Sequence, residues 1–245
     1  MNIQVSPSRL VRNLIFVGIA LSLISLSIQA AQYFSGLAVH PKVVFYFNVD
    51  AENNIPTLYS SALLLLSSVL LYTIAAATRS PRRRLYWQGL SLVFLFLSAD
   101  ELLELHENIN LLLNRATDLG DSLSGTGRWD VFSLVLFGVV ALAYFKFFLS
   151  LPRSAKRLLL MAAAAFVIGG AGIELIGVNF LPGIYHQPIF LAEVISTVEE
   201  FLEMLGSCLL IRGLLVYTQS EVETIQLEFM TPKSKMLEKA GKTSG

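Results

Sequence analysis

The sequence predicts an all-α, polytopic membrane protein that crosses the bilayer six times and keeps both ends in the cytoplasm. Hydrophobic residues make up 54% of its 245 residues and charged residues only 15%, whereas a soluble domain carries about a quarter charged residues. The mean hydropathy is +0.63. The apolar residues occur in blocks, each close to the roughly 20 residues that a helix needs to cross the hydrocarbon core. Helix is expected because lipid offers backbone polar groups no partner outside their own segment.

Turn and charge signals separate six apolar segments. These segments cover residues 13–35, 57–78, 85–107, 129–150, 157–180 and 189–217. The breaks contain His40-Pro41, Arg79-Ser80-Pro81, the glycine-containing stretch 120–127, Leu151-Pro152 and Leu181-Pro182-Gly183, all of which are typical of loops. We therefore expect one six-helix membrane domain over residues 1–218. Residues 219–245 are expected to form a short amphipathic stretch and a disordered basic tail on the cytoplasmic side.

The basic residues give the expected orientation. With the N-terminus inside, all but three of the 18 Lys and Arg residues fall on the cytoplasmic side, the exceptions being Lys42, Arg115 and Arg128. This bias follows the positive-inside rule. A cleaved secretory signal is an alternative reading of the first segment, because basic residues precede its apolar run and small residues follow it. Cleavage would leave the other five spans oriented in the same way.

Three of the apolar segments contain half of the 18 acidic residues. They are Asp100, Glu101, Glu104, Glu107, Glu174, Glu193, Glu199, Glu200 and Glu203. A carboxylate near the membrane centre costs about 2.5–3.5 kcal/mol, and these segments contain no Lys or Arg at a similar depth. We therefore expect the carboxyl groups to be protonated, hydrated or bound to a cation.

The acidic residues are predicted to share a site in the outer half of the membrane. Helical spacing places the acids of the third and sixth segments on one face of each helix, so that the two faces can meet. Residues 100–105 also match residues 199–204 in their acidic pattern, each in the third span of a three-span half. Such a match is typical of a 3+3 inverted repeat of the kind found in transporters.

Carboxylates combined with imidazoles suit divalent ions such as Mg²⁺, Mn²⁺, Fe²⁺ or Zn²⁺. The candidate metal ligands are Asp100, Glu101, His106, Glu107, Glu174, Glu200 and Glu203, and the candidate outer vestibule contains Asp50, Glu52, Glu193 and His186. A structural alternative is that several of these, notably Glu107, Glu193 and His186, are surface or loop residues. The Glu-x-x-His pairs of a di-iron bundle are missing from both acidic helices.

Two motifs resemble those of an uncharacterised group of bacterial six-span membrane proteins. The first is D-x-E-x-N-x-P-T, which begins at Asp50 and ends at Thr57, and the second is F-L-S-x-D-E followed by H-E, which begins at Phe96 and ends at Glu107. The resemblance covers most of the membrane region and brings no activity with it. It implies a multi-pass protein of the bacterial inner membrane.

Three classes of function remain open from the sequence. The leading hypothesis is a small metal-ion or proton-coupled transporter. The second is a metal-dependent enzyme that acts on a lipid at the outer leaflet, and the third is a non-catalytic assembly or sensor subunit. Nucleic-acid binding is not expected because the folded part lacks a basic face, and the oligomeric state is left undetermined. Cys208, the single cysteine, provides neither a disulfide nor a thiolate metal site.

Overall fold

A computed structural model describes residues 6–105, 109, 128–173 and 189–221. These residues form seven α-helices and one π-helical segment, and they contain no strand, which confirms the predicted all-α class. The helices are α1 (Pro7–Ser35), α2 (Pro41–Phe47), α3 (Ile55–Ala77), α4 (Pro81–Leu103), α5 (Arg128–Leu149), α6 (Arg153–Phe166), the π-helical segment (Val167–Ile173) and α7 (Phe190–Glu221).

Three of the described helices are long and apolar enough to cross a membrane. They are α1, α3 and α7, and a shorter apolar stretch of α5 covers Phe137–Leu149. The chain is therefore a membrane-associated helical protein. The count of six spans, the inverted repeat and the position of both termini remain predictions, and the predicted tail beyond residue 221 lies outside the described residues.

Proline and polar caps define where the early helices begin. Each of α1 to α4 has a proline in its first turn, where the missing N–H costs no hydrogen bond. Asn54 and Ser80 cap α3 and α4 by accepting the backbone N–H groups of Thr57 and Arg83. The proline-containing turn signals in the sequence thus lie in the first turns of these helices.

Helix α4 is shorter than the third apolar segment predicts. It ends at Leu103, and Glu104 takes a left-handed conformation with φ of 51°. The Glu104 carboxylate accepts a hydrogen bond from the Asn53 side chain, and Asn53 itself has a φ of 57°. The expectation that Glu104 continues one acidic stripe of α4 is therefore wrong, because a residue in the left-handed region ends the regular helical spacing.

Four buried serines join the antiparallel helices α3 and α4. Ser61 Oγ donates to the Ser98 carbonyl oxygen at 2.8 Å, and Ser98 Oγ donates to the Ser61 carbonyl oxygen at 2.9 Å. The same exchange links Ser68 and Ser91, also at 2.8 and 2.9 Å. We call these four residues the serine ladder. Small side chains with interhelical hydrogen bonds allow helix backbones to approach closely in lipid.

Helix α7 lies at the centre of the bundle. It packs against α1, α3, α6 and the π-helical segment. One apolar cluster, which we call the apolar layer, joins α7 to α1 and α3 and consists of Val11, Leu63, Met204, Cys208 and Ile211. A second, larger cluster joins α7 to α3, α4, α5 and α6 around the fully buried Trp87 and Leu214. The acidic part of α7 precedes both clusters in the sequence.

Candidate functional site

Acidic residues from three parts of the chain lie within electrostatic range of one another along the first half of α7. The Glu200 carboxyl lies within electrostatic range of Glu203, Glu101, Glu199 and Asp50, in decreasing order of effect. Asp50 acts in the same way on the Glu193 carboxyl near the beginning of α7. We call Asp50, Glu101, Glu193, Glu199, Glu200 and Glu203 the acidic cluster. Among the described residues, every charge that acts on Glu200 is negative.

Asn54 holds the loop that brings Asp50 to this cluster. Its amide nitrogen donates to the carbonyl oxygens of Phe45 at 3.0 Å and Asn48 at 2.6 Å, while its amide oxygen accepts the Thr57 N–H at 3.1 Å. The Asn48 side chain in turn accepts the N–H of Asp50 at 3.1 Å. The buried Asn54 side chain makes all three of these hydrogen bonds. It therefore caps the first turn of α3 and also holds the loop before it.

Two further contacts fix Asp50 between α1 and α7. The N–H of the neighbouring Val49 donates to Ser25 Oγ of α1 at 3.2 Å. The hydroxyl of Ser196 on α7 donates to the Asp50 carboxylate. Although Asp50 keeps an exposed surface, the surrounding protein desolvates its carboxyl and raises its pKa above the ordinary 3.8, and the Ser196 hydrogen bond opposes this shift. The site therefore favours a proton, or another cation, at Asp50.

Helix α1 contributes a neutral partner to the first turn of α7. Gln29 Nε2 donates to a carboxylate oxygen of Glu193 at 2.9 Å. Both residues are partly buried. Glu193 therefore belongs to the interface between α1 and α7, where an amide donor stabilises its carboxylate without neutralising the charge.

Two glycines of the π-helical segment allow α7 to approach closely beside Glu203. A Cβ atom on Gly170 would lie only 2.6 Å from Glu203 Oε1, and one on Gly169 would lie 3.0 Å from the Glu199 carbonyl oxygen and 3.1 Å from Leu202 Cβ. The Glu203 side chain thus occupies the space that any side chain at position 170 would need. Single π-helical turns are rare and frequently mark functional sites, and this one directly precedes Glu174 in the sequence.

The other predicted site residues have different positions. Asp100 and Glu52 are partly buried, and neither is among the described charges that act on Glu200. His106, Glu107, Glu174 and His186 lie outside the described residues. The structure therefore brings together Asp50, Glu101, Glu193, Glu200 and Glu203, and it adds Glu199 to them.

The described residues do not form a ready-made metal centre. Within residues 6–105, 128–173 and 189–221, no three His, Cys, Asp or Glu side chains are grouped so that they could hold a metal ion. Four predicted ligands or vestibule residues fall outside these ranges. Metal binding therefore stays a prediction from the donor chemistry.

Four residues that support the cluster were not assigned to it from the sequence. They are Asn54 before α3, Gly169 and Gly170 in the π-helical segment, and Gln29 in α1. Their roles depend on a neighbour that is distant in the sequence. Only the dense Asn-containing loop before α3 was a usable signal, because several Asn residues together favour side-chain hydrogen bonds to the backbone.

The comparisons with known proteins agree with an uncharacterised family. The model of a domain of unknown function, DUF8692, matches residues 14–218. No curated protein and no solved structure matches the chain significantly. The matched region begins within α1, ends within α7 and contains the whole acidic cluster. The chain therefore belongs to the DUF8692 family.

Proposed function

We propose that this membrane protein binds a cation in the acidic cluster and that the cation displaces protons. The observation that carries the proposal is the convergence of Glu101, Glu200, Glu203 and Asp50, which come from α4, α7 and the loop before α3. Like charges that share a poorly solvated space repel one another strongly, and protons or a bound cation remove this repulsion.

The donor chemistry favours a divalent metal ion as the cation. Carboxylate oxygens are suitable ligands for Mg²⁺ and Mn²⁺, and they also bind Fe²⁺ and Zn²⁺, especially when an imidazole joins them. Because metal ligands must be deprotonated, metal binding to protonated carboxyl groups releases protons. The raised pKa of Asp50 supports the direction of this coupling, because burial favours the protonated carboxyl over the charged one.

Calorimetry on the purified full-length protein tests the proposal. We would titrate Mn²⁺, Zn²⁺, Mg²⁺ and, without oxygen, Fe²⁺ at one pH in two buffers of different ionisation enthalpy, because the difference in heat counts released protons. At least one ion is expected to bind with proton release. Glu200→Gln and Glu203→Gln, which keep the size of the side chain, are expected to weaken binding at least about tenfold, equivalent to about 1.4 kcal/mol.

A matched control comes from the far end of the same helix. Glu221 is exposed at the last turn of α7, so Glu221→Gln removes one carboxylate of α7 without touching the cluster. Its affinity for the cation is expected to stay within about twofold of the unmodified protein. Equal losses in Glu200→Gln and Glu221→Gln, or no bound cation in any titration, would overturn the proposal.

The apolar layer raises a second question, whether the bound cation crosses the membrane. Met204 follows Glu203 directly, and its side chain packs with Val11 and Leu63 in the apolar layer. Transport would require this layer to open. A closed layer favours the second candidate, a metal-dependent enzyme that acts on a lipid from one side only.

A flux measurement separates the two candidates. Proteoliposomes that contain an indicator for the bound cation would report entry. Cation entry that Glu200→Gln and Glu101→Gln abolish is expected for a transporter, because both residues belong to the acidic cluster. Binding without entry supports the one-sided enzyme, and cation entry that both variants leave unchanged would rule out transport through the acidic cluster.

A further inference from the structure

We propose a second binding site, separate from the acidic cluster, in which the protein holds one anionic phospholipid at its basic end. A cavity of about 370 Å³ lies between α4, α5, α6 and α7. Its walls are aromatic and aliphatic, with Trp87 and Phe94 from α4, Tyr144 and Phe148 from α5, Leu159 from α6 and Leu214 from α7. We call it the aromatic groove.

The shape and lining of the aromatic groove suit an acyl chain. A water molecule occupies about 30 Å³, so the groove has room for roughly a dozen groups of that size, and a methylene is a group of similar size. The lining presents almost no polar surface. A chain of methylene groups therefore fits the groove, whereas a polar solute would lose its hydration without compensation.

Basic side chains lie one helical turn beyond the aromatic groove, on the helix faces that line it. Arg83 precedes Trp87 by four residues on α4, and Lys156 precedes Leu159 and Leu160 by one turn on α6, so each shares the groove-facing side of its helix. Arg83 also acts electrostatically on Tyr217, whose ring packs on Trp87 with centroids 4.8 Å apart. The rim of the groove is thus positively charged.

A phospholipid supplies what both parts of this site need. Its phosphate would interact with Arg83 and Lys156, since basic pockets between membrane helices bind anionic headgroups. The fully buried Trp87 belongs to the lining of the groove, and its indole N–H is close to the Tyr217 hydroxyl. One carboxylate, Glu221, also acts on Tyr217 and would weaken the attraction for the phosphate.

Fluorescence quenching tests this site because Trp87 lines the groove and the chain contains only one other tryptophan, Trp129. Trp129→Phe leaves Trp87 as the single emitter. The protein would be reconstituted in two vesicle types of identical phosphatidylglycerol and phosphatidylcholine content, with bromine on the acyl chains of one lipid or of the other at equal mole fraction. We expect about twofold stronger quenching when phosphatidylglycerol carries the bromine.

Variants decide whether the rim selects the headgroup. Arg83→Gln combined with Lys156→Gln is expected to remove the preference for brominated phosphatidylglycerol. Lys146→Gln and Arg212→Gln should keep it, because helical spacing places these residues on the sides of α5 and α7 that face away from the groove. Circular dichroism would verify that all variants are folded.

Three outcomes would overturn the proposal. Equal quenching by both brominated lipids would mean that the groove accepts any acyl chain. An equal loss of preference in Arg212→Gln would assign the effect to general surface charge. Absence of quenching in both vesicle types would show that protein, such as a second copy of the chain, covers the groove.

Discussion

The serine ladder and the acidic cluster are two ways of placing polar side chains between apolar helices. In the ladder, Ser61 and Ser98 exchange hydrogen bonds with each other's carbonyl oxygens, and a second pair repeats the exchange. In the cluster, the Glu200 carboxyl lies within electrostatic range of further carboxyl groups, whose negative charges repel its own. The serine hydroxyls are neutral and donate to carbonyl oxygens within the protein, whereas like-charged carboxyl groups repel one another, and a proton or a cation reduces this repulsion. The first region is thus suited to structure and the second to binding.

The largest effect is expected where the cluster depends on close helix packing. Gly169→Leu would force side-chain atoms against the Glu199 carbonyl oxygen and Leu202. Such overpacking costs about 1–3 kcal/mol, and we expect a fall in the melting temperature of about 3–10 °C. Thermal unfolding in detergent, followed by tryptophan fluorescence, measures it. Gly138→Leu is the control because an added Cβ there meets nothing within 4 Å, and an equal fall in that variant would contradict the packing argument.

A somewhat smaller effect is expected at the residue that holds the Asp50 loop. Asn54→Ala removes the cap of α3 together with the hydrogen bonds to Phe45 and Asn48, which is expected to cost about 1–2 kcal/mol. Asn54→Asp keeps the acceptor for the Thr57 N–H and loses only the amide donors. Chemical unfolding of both variants should therefore rank Asn54→Asp between Asn54→Ala and the unmodified protein. If the two variants were equally stable, the hydrogen bonds to Phe45 and Asn48 would contribute nothing to the stability of the protein.

Next comes the serine ladder. The double variant Ser61→Ala and Ser98→Ala removes two interhelical hydrogen bonds that are worth about 0.6 kcal/mol each in membrane proteins. A loss of about 1 kcal/mol is expected, with unchanged cation binding because neither hydroxyl belongs to the acidic cluster. Ser27→Ala provides the control, since Ser27 donates only to the Leu23 carbonyl oxygen of its own helix at an exposed position. Loss of cation binding in the ladder variant would break the distinction between the two regions.

The smallest effect concerns pH. Because the pKa of Asp50 is raised in the folded protein, its protonated form favours folding, and this contribution is present below pH 3.8 and is lost as the pH rises. Asp50→Asn mimics the protonated form, so its melting temperature should exceed that of the unmodified protein by about 1 °C at pH 7. The difference should shrink towards pH 4. Ser196→Ala removes the opposing hydrogen bond and should steepen the pH dependence of the otherwise unmodified protein. A difference between Asp50→Asn and the unmodified protein that is independent of pH would contradict the shift.

Local sequence patterns determined the helical class and the membrane association. Blocks of apolar residues predict membrane helices because lipid cannot satisfy backbone polar groups, and α1, α3 and α7 confirm this at three positions. Helix α3 begins two residues before the predicted segment 57–78, and α4 begins four residues before the predicted segment 85–107, at the proline of the predicted break. The end of α4 was missed by four residues, since the left-handed conformation of Glu104 goes together with a hydrogen bond to Asn53, which is distant in the sequence.

Only the tertiary structure decided which polar groups meet. Helical periodicity assigns Glu200 and Glu203 to one face of α7 but says nothing about the helix opposite. The glycines of the π-helical segment, the loop held by Asn54 and the pairing of Ser61 with Ser98 all depend on residues that are distant in the chain. The sequence determines the chemistry of each side chain and the face of the helix on which it lies. Contacts between helices follow from packing, because each contact depends on how the side chains of both helices fit together.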